Sequence, residues 1–232
     1  MISITIESEL TQPRSGRTEQ ALRWSTTALK VMMVVLAIKA VLSGPEVWVY
    51  SGIFCTVFVF VPTLMRRYLD ISMPVALEFL LFLALFLHVG GGALGIYDVF
   101  GPWDIVTHFV STFMLALIFV TLFFVANHHW GLMRMTPARI VLVTMVIAMS
   151  LGLLWEGMEW AADKLFDIRA QDGIGDTLMD LVMDAVGGMA AALLAVRWAR
   201  NGTLDRMTVH ISGVSTRDTE EGPFNIPDPA PP

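Results

Sequence analysis

The stretch from Trp103 to Ala126 reads WDIVTHFVSTFMLALIFVTLFFVA and carries two ionisable side chains, Asp104 and His108. About 20 mostly apolar residues in a helix cross the hydrocarbon core of a bilayer, which is about 30 Å thick. Because lipid offers the backbone no hydrogen-bond partners, such a stretch has to be helical within the membrane. The sequence therefore predicts a transmembrane helix here, with two polar groups in its first two turns.

Five other stretches have the same apolar character, and together they predict the fold class. The first of them is interrupted by two lysines, and the side chains of Lys30 and Lys39 can extend toward opposite membrane surfaces. We expect an all-α protein, a polytopic membrane helix bundle of about six transmembrane helices. The five other predicted spans are Trp24–Ser43, Pro45–Met65, Pro74–Ile96, Pro137–Leu165 and Asp176–Trp198.

The composition fits one membrane domain between two polar tails. Of the 232 residues, 55% are hydrophobic and 16% are charged, whereas soluble domains carry about 25% charged residues. We expect a cytoplasmic tail over 1–20, a transmembrane helical domain over 21–200 and a disordered cytoplasmic tail over 201–232. The net charge of −6, without a basic patch, predicts no nucleic-acid partner.

The distribution of basic residues predicts the orientation. Loops on the cytoplasmic side of a membrane protein carry an excess of lysine and arginine. Alternate connections of a six-span chain hold ten arginines, and the other connections hold only Lys164 and Arg169. We therefore expect a plasma (inner) membrane protein with both termini in the cytoplasm and with the lipid bilayer as its partner. The ten are Arg14, Arg17, Arg23, Arg66, Arg67, Arg134, Arg139, Arg197, Arg200 and Arg206.

Acidic residues and one histidine occur inside three of the predicted spans, where each charge costs roughly 2.5–3.5 kcal/mol on the translocon scale. Their spacings of three and four residues place them on one face of each helix. With the expected orientation, all of them fall in the outer half of the bilayer. They are Asp104 and His108 on the fourth span, Glu156 and Glu159 on the fifth, and Asp176, Asp180 and Asp184 on the sixth.

These seven residues suit several kinds of chemistry. All seven are candidate ligands of a divalent metal ion, for which carboxylate and imidazole are ordinary ligands, and Glu156 and His108 are also candidate catalytic groups. Crowded carboxylates could instead share protons, or receive a cationic or polar headgroup. Simpler interpretations stay open: Asp104 and Asp176 follow helix starts and could be N-caps, and His88 could form an interhelical hydrogen bond.

Gly187 and Gly188 predict close packing of the sixth span on the fifth, with Gly152 and Gly157 as possible contacts.

Three motifs in one order resemble a known family. Trp103-Asp104-x-x-x-His108-Phe109, Trp155-Glu156-x-x-Glu159-Trp160 and Gly175-Asp176-Thr177-x-x-Asp180-x-x-x-Asp184-x-x-Gly187 resemble elements of the YjdF-like inner-membrane proteins of bacteria and archaea. The same order is more loosely similar to VanZ-like proteins, which are associated with glycopeptide (teicoplanin) resistance. Those proteins have glutamine where this chain has Glu159, and asparagine where it has Asp184. The resemblance implies a multi-helix membrane protein and does not supply a reaction.

Three functions remain open from the residues. One is an enzyme with a metal-assisted site that acts on a lipid-linked or envelope substrate. A phosphate substrate usually needs cationic partners, and the outer side offers only Lys164 and Arg169. The second is a proton- or cation-coupled small transporter, although the inner half carries only Lys30 and Glu78 as charged groups. The third is a structural or accessory membrane protein whose acids hold helices together.

Overall fold

Every regular element in the described part of the chain is a helix. The computed structural model describes residues 16–43, 49, 52–53, 56–68, 73–166, 171 and 173–212. We number the helices in chain order. They are α1 (Gly16–Ser43), α2 (Val61–Tyr68), α3 (Val75–Ala93), α4 (Ile96–Val99), α5 (Trp103–Trp130), α6 (Pro137–Phe166), α7 (Ile174–Arg200) and α8 (Thr203–Ser212).

Five of these helices, α1, α3, α5, α6 and α7, are long and apolar enough to cross a bilayer. This confirms the predicted all-α polytopic bundle. The predicted span Pro45–Met65 includes residues that lie outside the described ones, and its last part runs into α2 at Val61. Among the membrane-crossing helices, the main difference in bounds is at α1, which begins at Gly16, about two turns before the predicted Trp24.

The expectation of a disordered tail from residue 201 needs correction, because Thr203–Ser212 forms α8. The side chains of Leu204 and Ile211 are buried, and Leu204 packs in one apolar cluster with Phe124 of α5. Positions 204, 208 and 211 follow a helical spacing, so one face of α8 is covered by the bundle. That short periodicity lies within a polar segment, and the composition of the whole segment obscured it.

Helix α7 packs between α5 and α6 through adjacent glycines. A Cβ at Gly187 would collide with the backbone carbonyl of Phe109 on α5, and a Cβ at Gly188 would collide with Ala148 on α6. Small residues allow helix backbones to approach closely in lipid, where no hydrophobic effect drives helices together. The sequence predicted packing of α7 only against the fifth span, which is α6, whereas α7 packs closely on both α5 and α6. Gly157 takes no part in this packing, because it faces open space.

The bundle has an arginine-rich end and an opposite end where the acids gather. The turn between α5 and α6 and the end of α7 carry arginines at one end of the bundle. One cleft is lined by the beginning of α1, by α2, by the approach to α3 and by α8, so these four elements meet at a single end. Because α5 and α7 run toward that end and α6 runs away from it, Asp104, Glu156 and Asp180 lie toward the other end.

Candidate functional site

Three helices bring buried polar groups together near the end of the bundle opposite the arginines. His108 comes from α5, Glu156 from α6, and Asp180 and Asp184 from α7, and all four side chains are buried. Elsewhere in the bundle, the outward-facing side chains of α6 and α7 are mostly apolar. The polar groups therefore point into the protein and away from lipid, as ionisable residues within membrane spans usually do.

Asp184 fixes the orientation of the His108 ring. The Nδ1 atom of His108 lies 3.3 Å from Oδ1 of Asp184, and the hydroxyl of Thr112 donates to the same oxygen at 2.5 Å. Gly152 on α6 leaves room for this carboxylate, since a Cβ at that position would collide with it. With Nδ1 engaged by Asp184, the other ring nitrogen, Nε2, is the one available to a ligand.

The Nε2 side of His108 faces carboxylates that do not hydrogen-bond to it. Oδ1 of Asp104 lies 3.7 Å from Nε2, and Oε1 of Glu156 lies 3.9 Å from Nε2. Asp104, His108 and Asp180 each offer one ligand atom, and these three atoms lie within 4.8 Å of one another. Ligands about 2.1 Å from a tetrahedral zinc ion are about 3.4 Å apart. A small contraction of this group would therefore match the ligand spacing of a metal ion.

Glu156 has its two oxygens in different surroundings. Oε1 is buried and has no hydrogen-bond partner among the described residues, while its side chain is only 5% exposed. Oε2 accepts a hydrogen bond at 3.2 Å from the side-chain amide of Gln171, which also donates at 2.9 Å to the hydroxyl of Thr177. A buried carboxylate oxygen without a donor is costly, so Oε1 is suited to a ligand or a proton.

The sequence analysis did not single out Gln171. This residue lies in the connection between α6 and α7, and its backbone N–H donates to Oδ2 of Asp163 at 3.3 Å. A single glutamine in a connection has no helical periodicity and no motif. Only its contacts in the folded chain associate it with Glu156.

Four of the seven predicted ligands lie outside the three-residue metal-compatible group. Glu156 and Asp184 lie near His108, as described above, and the other two are Glu159 and Asp176. Oε1 of Glu159 accepts a hydrogen bond from the indole of Trp155 at 2.9 Å, and Glu159 is not part of the three-residue metal-compatible group. Asp176 lies one turn before Asp180 on α7 and is likewise outside that group. Neither Asp104 nor Asp176 is an N-cap: the N-cap of α5 is Pro102 and that of α7 is Gly173, and no side chain caps either helix.

A chain of hydrogen bonds supports the start of α5. The Thr107 hydroxyl donates to the backbone carbonyl of Asp104 at 2.9 Å and lies 3.2 Å from the hydroxyl of Tyr97, which is 3.1 Å from Nδ1 of His88. Through Thr107 the chain of hydrogen bonds reaches the backbone of Asp104 and holds the start of α5 in place. The ring of His88 also packs edge-on against Trp155, with centroids 4.6 Å apart. His88 therefore serves to join helices, as the simpler interpretation of this residue expected.

Among the comparisons with known proteins, the family match describes a membrane protein, and none of them names an activity. The family described as "Predicted membrane protein (DUF2238)" matches residues 21–201 of this chain. An uncharacterized protein of Thermotoga maritima is 28% identical over 140 residues, which cover 60% of this chain and 71% of that protein. No solved structure matches this chain.

Proposed function

The chain belongs to the DUF2238 family of predicted membrane proteins, and we propose that it is an enzyme with a divalent metal ion at Asp104, His108 and Asp180. In this proposal the ion assists a reaction on a lipid-linked or envelope substrate, and Glu156 is a further ligand or the general base. The match with YjdF-like motifs suits this family, and we propose that the chain is a YjdF-like protein. The likeness to VanZ-like proteins remains a looser resemblance.

The observation that carries the proposal is the asymmetry around the His108 ring. Nδ1 is held by Asp184, and Nε2 faces Asp104 and Glu156 at distances too long for hydrogen bonds. Histidine ligands of metal ions usually donate their second ring nitrogen to a carboxylate in this way, which orients the ligating nitrogen. The orphaned Oε1 of Glu156 is a second sign that a cation or a proton belongs in the space between these atoms.

The donor set indicates which ions are suitable. One imidazole with two or three carboxylates fits zinc, manganese or iron, whereas magnesium and calcium prefer oxygen ligands alone. A bound ion of this kind polarises a substrate oxygen or lowers the pKa of a bound water. In this proposal Glu156, whose Oε1 lies 3.9 Å from Nε2, would take a proton from a group beside Nε2, and the hydrogen bond from Gln171 would hold its other oxygen in position.

The position of the site suggests how a substrate would reach it. We propose the inner membrane with both termini in the cytoplasm, because the arginine-rich end of the bundle would then follow the positive-inside rule. The acidic site would lie in the outer half of the bilayer, within reach of the headgroup of an outer-leaflet lipid or a lipid-linked precursor. The lysines among the described residues of that end are Lys164, which is exposed, and Lys39, which donates to the backbone carbonyl of Ala93, so the metal ion would supply much of the positive charge for an anionic substrate.

A proton- or cation-coupled transporter has less support. Between the acidic site and the arginine-rich end, apolar clusters fill the bundle, among them Leu117, Val120 and Phe124. The buried hydroxyls of Thr121 and Thr144 bond to the carbonyls of their own helices. The described residues thus form no continuous polar path across the bundle. A flux assay in proteoliposomes that detected uptake coupled to protons or cations would favour the transporter instead.

Metal analysis of the purified protein tests the proposal. We expect about one zinc or manganese ion per chain after reloading of chelator-treated protein, and the loss of most of it in Asp180→Asn and Glu156→Gln. Asp98→Asn is the matched control, because Asp98 is an exposed carboxylate in α4, outside the group. Metal content equal to wild type in both site variants would disprove the site.

The same variants separate the metal site from a structural or accessory role. If the acids only hold helices together, Asp180→Asn and Glu156→Gln should change the melting temperature in detergent without any dependence on metal. In the metal proposal, added zinc or manganese should raise the melting temperature of wild type and of Asp98→Asn more than that of the two site variants.

A further inference from the structure

The arginine-rich end of the bundle contains a cleft that the metal site does not involve. Four elements enclose it: the beginning of α1, α2, the approach to α3, and α8. Because the cleft lies where membrane-crossing helices begin or end, we expect it near the level of the lipid headgroups. The charged residues of its lining are Glu19, Arg23, Lys30, Arg66, Glu78 and Arg206.

Two of the four cations in the cleft are already neutralised. Arg23 forms an ion pair with Glu19 at 2.7 Å, and Lys30 forms an ion pair with Glu78. Neither Arg66 nor Arg206 forms an ion pair with a carboxylate of the described residues. Arg206 donates to the hydroxyl of Thr203 at 2.9 Å, which holds its guanidinium group in place. In the described lining of the cleft, two guanidinium groups, one on α2 and one on α8, are therefore in excess over the carboxylates.

We propose that this cleft binds the phosphate group of an anionic phospholipid between Arg66 and Arg206. Guanidinium groups bind phosphate through paired, charge-assisted hydrogen bonds. Basic pockets between helices at the headgroup level are sites of this kind for anionic lipids. The lipid would connect α2 with α8, two short helices that belong to distant parts of the chain.

The surface next to the cleft favours a lipid over free phosphate. Thr27 lines the cleft, and Val31, Val34 and Ile38 follow it on the same face of α1 at helical spacing. These three side chains are 58%, 38% and 53% exposed. A phosphate in the cleft would therefore have an apolar strip below it, on which the acyl chains of the same molecule can lie. Inorganic phosphate makes no use of such a strip.

The test measures stabilisation of the full-length protein in a neutral detergent by short-chain phosphatidylglycerol. We expect this lipid to raise the melting temperature of wild type, and to bind roughly tenfold more weakly to the double variant Arg66→Gln/Arg206→Gln, since charged hydrogen bonds are lost. Arg67→Gln is the matched control, because Arg67 is next in sequence and does not line the cleft. It should behave as wild type.

Three further measurements decide the outcome. Arg66→Lys/Arg206→Lys keeps the charge and should recover part of the affinity, which a general folding defect would not allow. Short-chain phosphatidylcholine should stabilise wild type much less than phosphatidylglycerol. If phosphatidylglycerol raises the melting temperatures of Arg67→Gln and of the glutamine double variant equally, the proposal is overturned. The same holds if inorganic phosphate stabilises wild type as strongly as phosphatidylglycerol does. Metal content does not enter this test, so its result is independent of the metal site.

Discussion

Oδ1 of Asp184 on α7 lies 3.3 Å from Nδ1 of His108 on α5 and fixes the orientation of the imidazole ring. Both side chains are buried, and Thr112 donates to the same carboxylate oxygen. This relationship decides which nitrogen of His108 faces Asp104 and Glu156. Asp184 is spaced four residues from Asp180 on α7, but it contacts the histidine and is not part of the metal-compatible group that includes Asp180.

Asp184→Asn should weaken metal binding about 10- to 100-fold, since the outer partner of a ligating histidine orients it and raises its basicity. The change keeps the shape of the side chain, so loss of packing should be small. Titration of chelator-treated protein with zinc or manganese measures the effect. Thr112→Val, which removes a hydrogen bond to Asp184 but leaves the carboxylate, should have a smaller effect. An unchanged affinity in Asp184→Asn would remove Asp184 from the site.

Gly152→Ala should destabilise the protein by about 1–3 kcal/mol, the usual cost of overpacking. The added Cβ would collide with the carboxylate of Asp184, which Thr112 and His108 hold in place. Gly157→Ala is the matched control on the same helix, because a Cβ there meets nothing within 4 Å. The control should be neutral or stabilising, since alanine favours helices by up to about 1 kcal/mol over glycine. Unfolding in detergent measures both, and equal stability of the two variants would contradict this packing.

Gln171→Ala should weaken metal binding about fivefold while leaving the fold intact, because it removes one hydrogen bond of about 1 kcal/mol from Glu156. The same amide also bonds to Thr177, so the connection before α7 should become more accessible to protease. Thr177→Val separates the two effects, since it leaves the contact between Gln171 and Glu156. If Thr177→Val lowers the metal affinity as much as Gln171→Ala does, Gln171 acts only by ordering the connection.

Asp205 on α8 should make stability depend on pH. Burial raises the pKa of this carboxyl above its ordinary 3.8, and the attraction of Arg206 and His128 opposes the shift only in part. The folded state favours the neutral form of Asp205, so the contribution of this group to the free energy of unfolding is fully present at low pH. That contribution is lost as pH rises from the ordinary pKa to the raised one, because the unfolded chain ionises first.

Asp205→Asn should therefore remove this part of the pH dependence and raise the melting temperature at neutral pH relative to wild type. Melting curves in detergent between pH 4 and 7, compared as the difference between wild type and variant, cancel the other titrating groups. A difference that stays constant over this range would show that Asp205 keeps its ordinary pKa.

Much of the fold could be predicted from local sequence. Long apolar runs determine the spans because each helix satisfies its own backbone in lipid, whatever its neighbours are. The spacing of Asp104 with His108, and of Asp180 with Asp184, places each pair on one helix face for the same local reason. The short α8 escaped prediction, because its buried face has only two apolar residues, Leu204 and Ile211, and it packs on the bundle in one cluster with Phe124 of α5.

The sequence by itself determined an all-helical membrane bundle with acids and one histidine on the faces of three helices. Only the tertiary structure decided which of these groups meet: Asp104, His108 and Asp180 converge, Asp184 supports the histidine, and Glu159 turns to Trp155. The physical reason is that helical periodicity fixes the face of a residue on its own helix. The rotation and depth of one helix against another depend on side-chain packing, here on the close approaches that Gly152 and Gly187 allow.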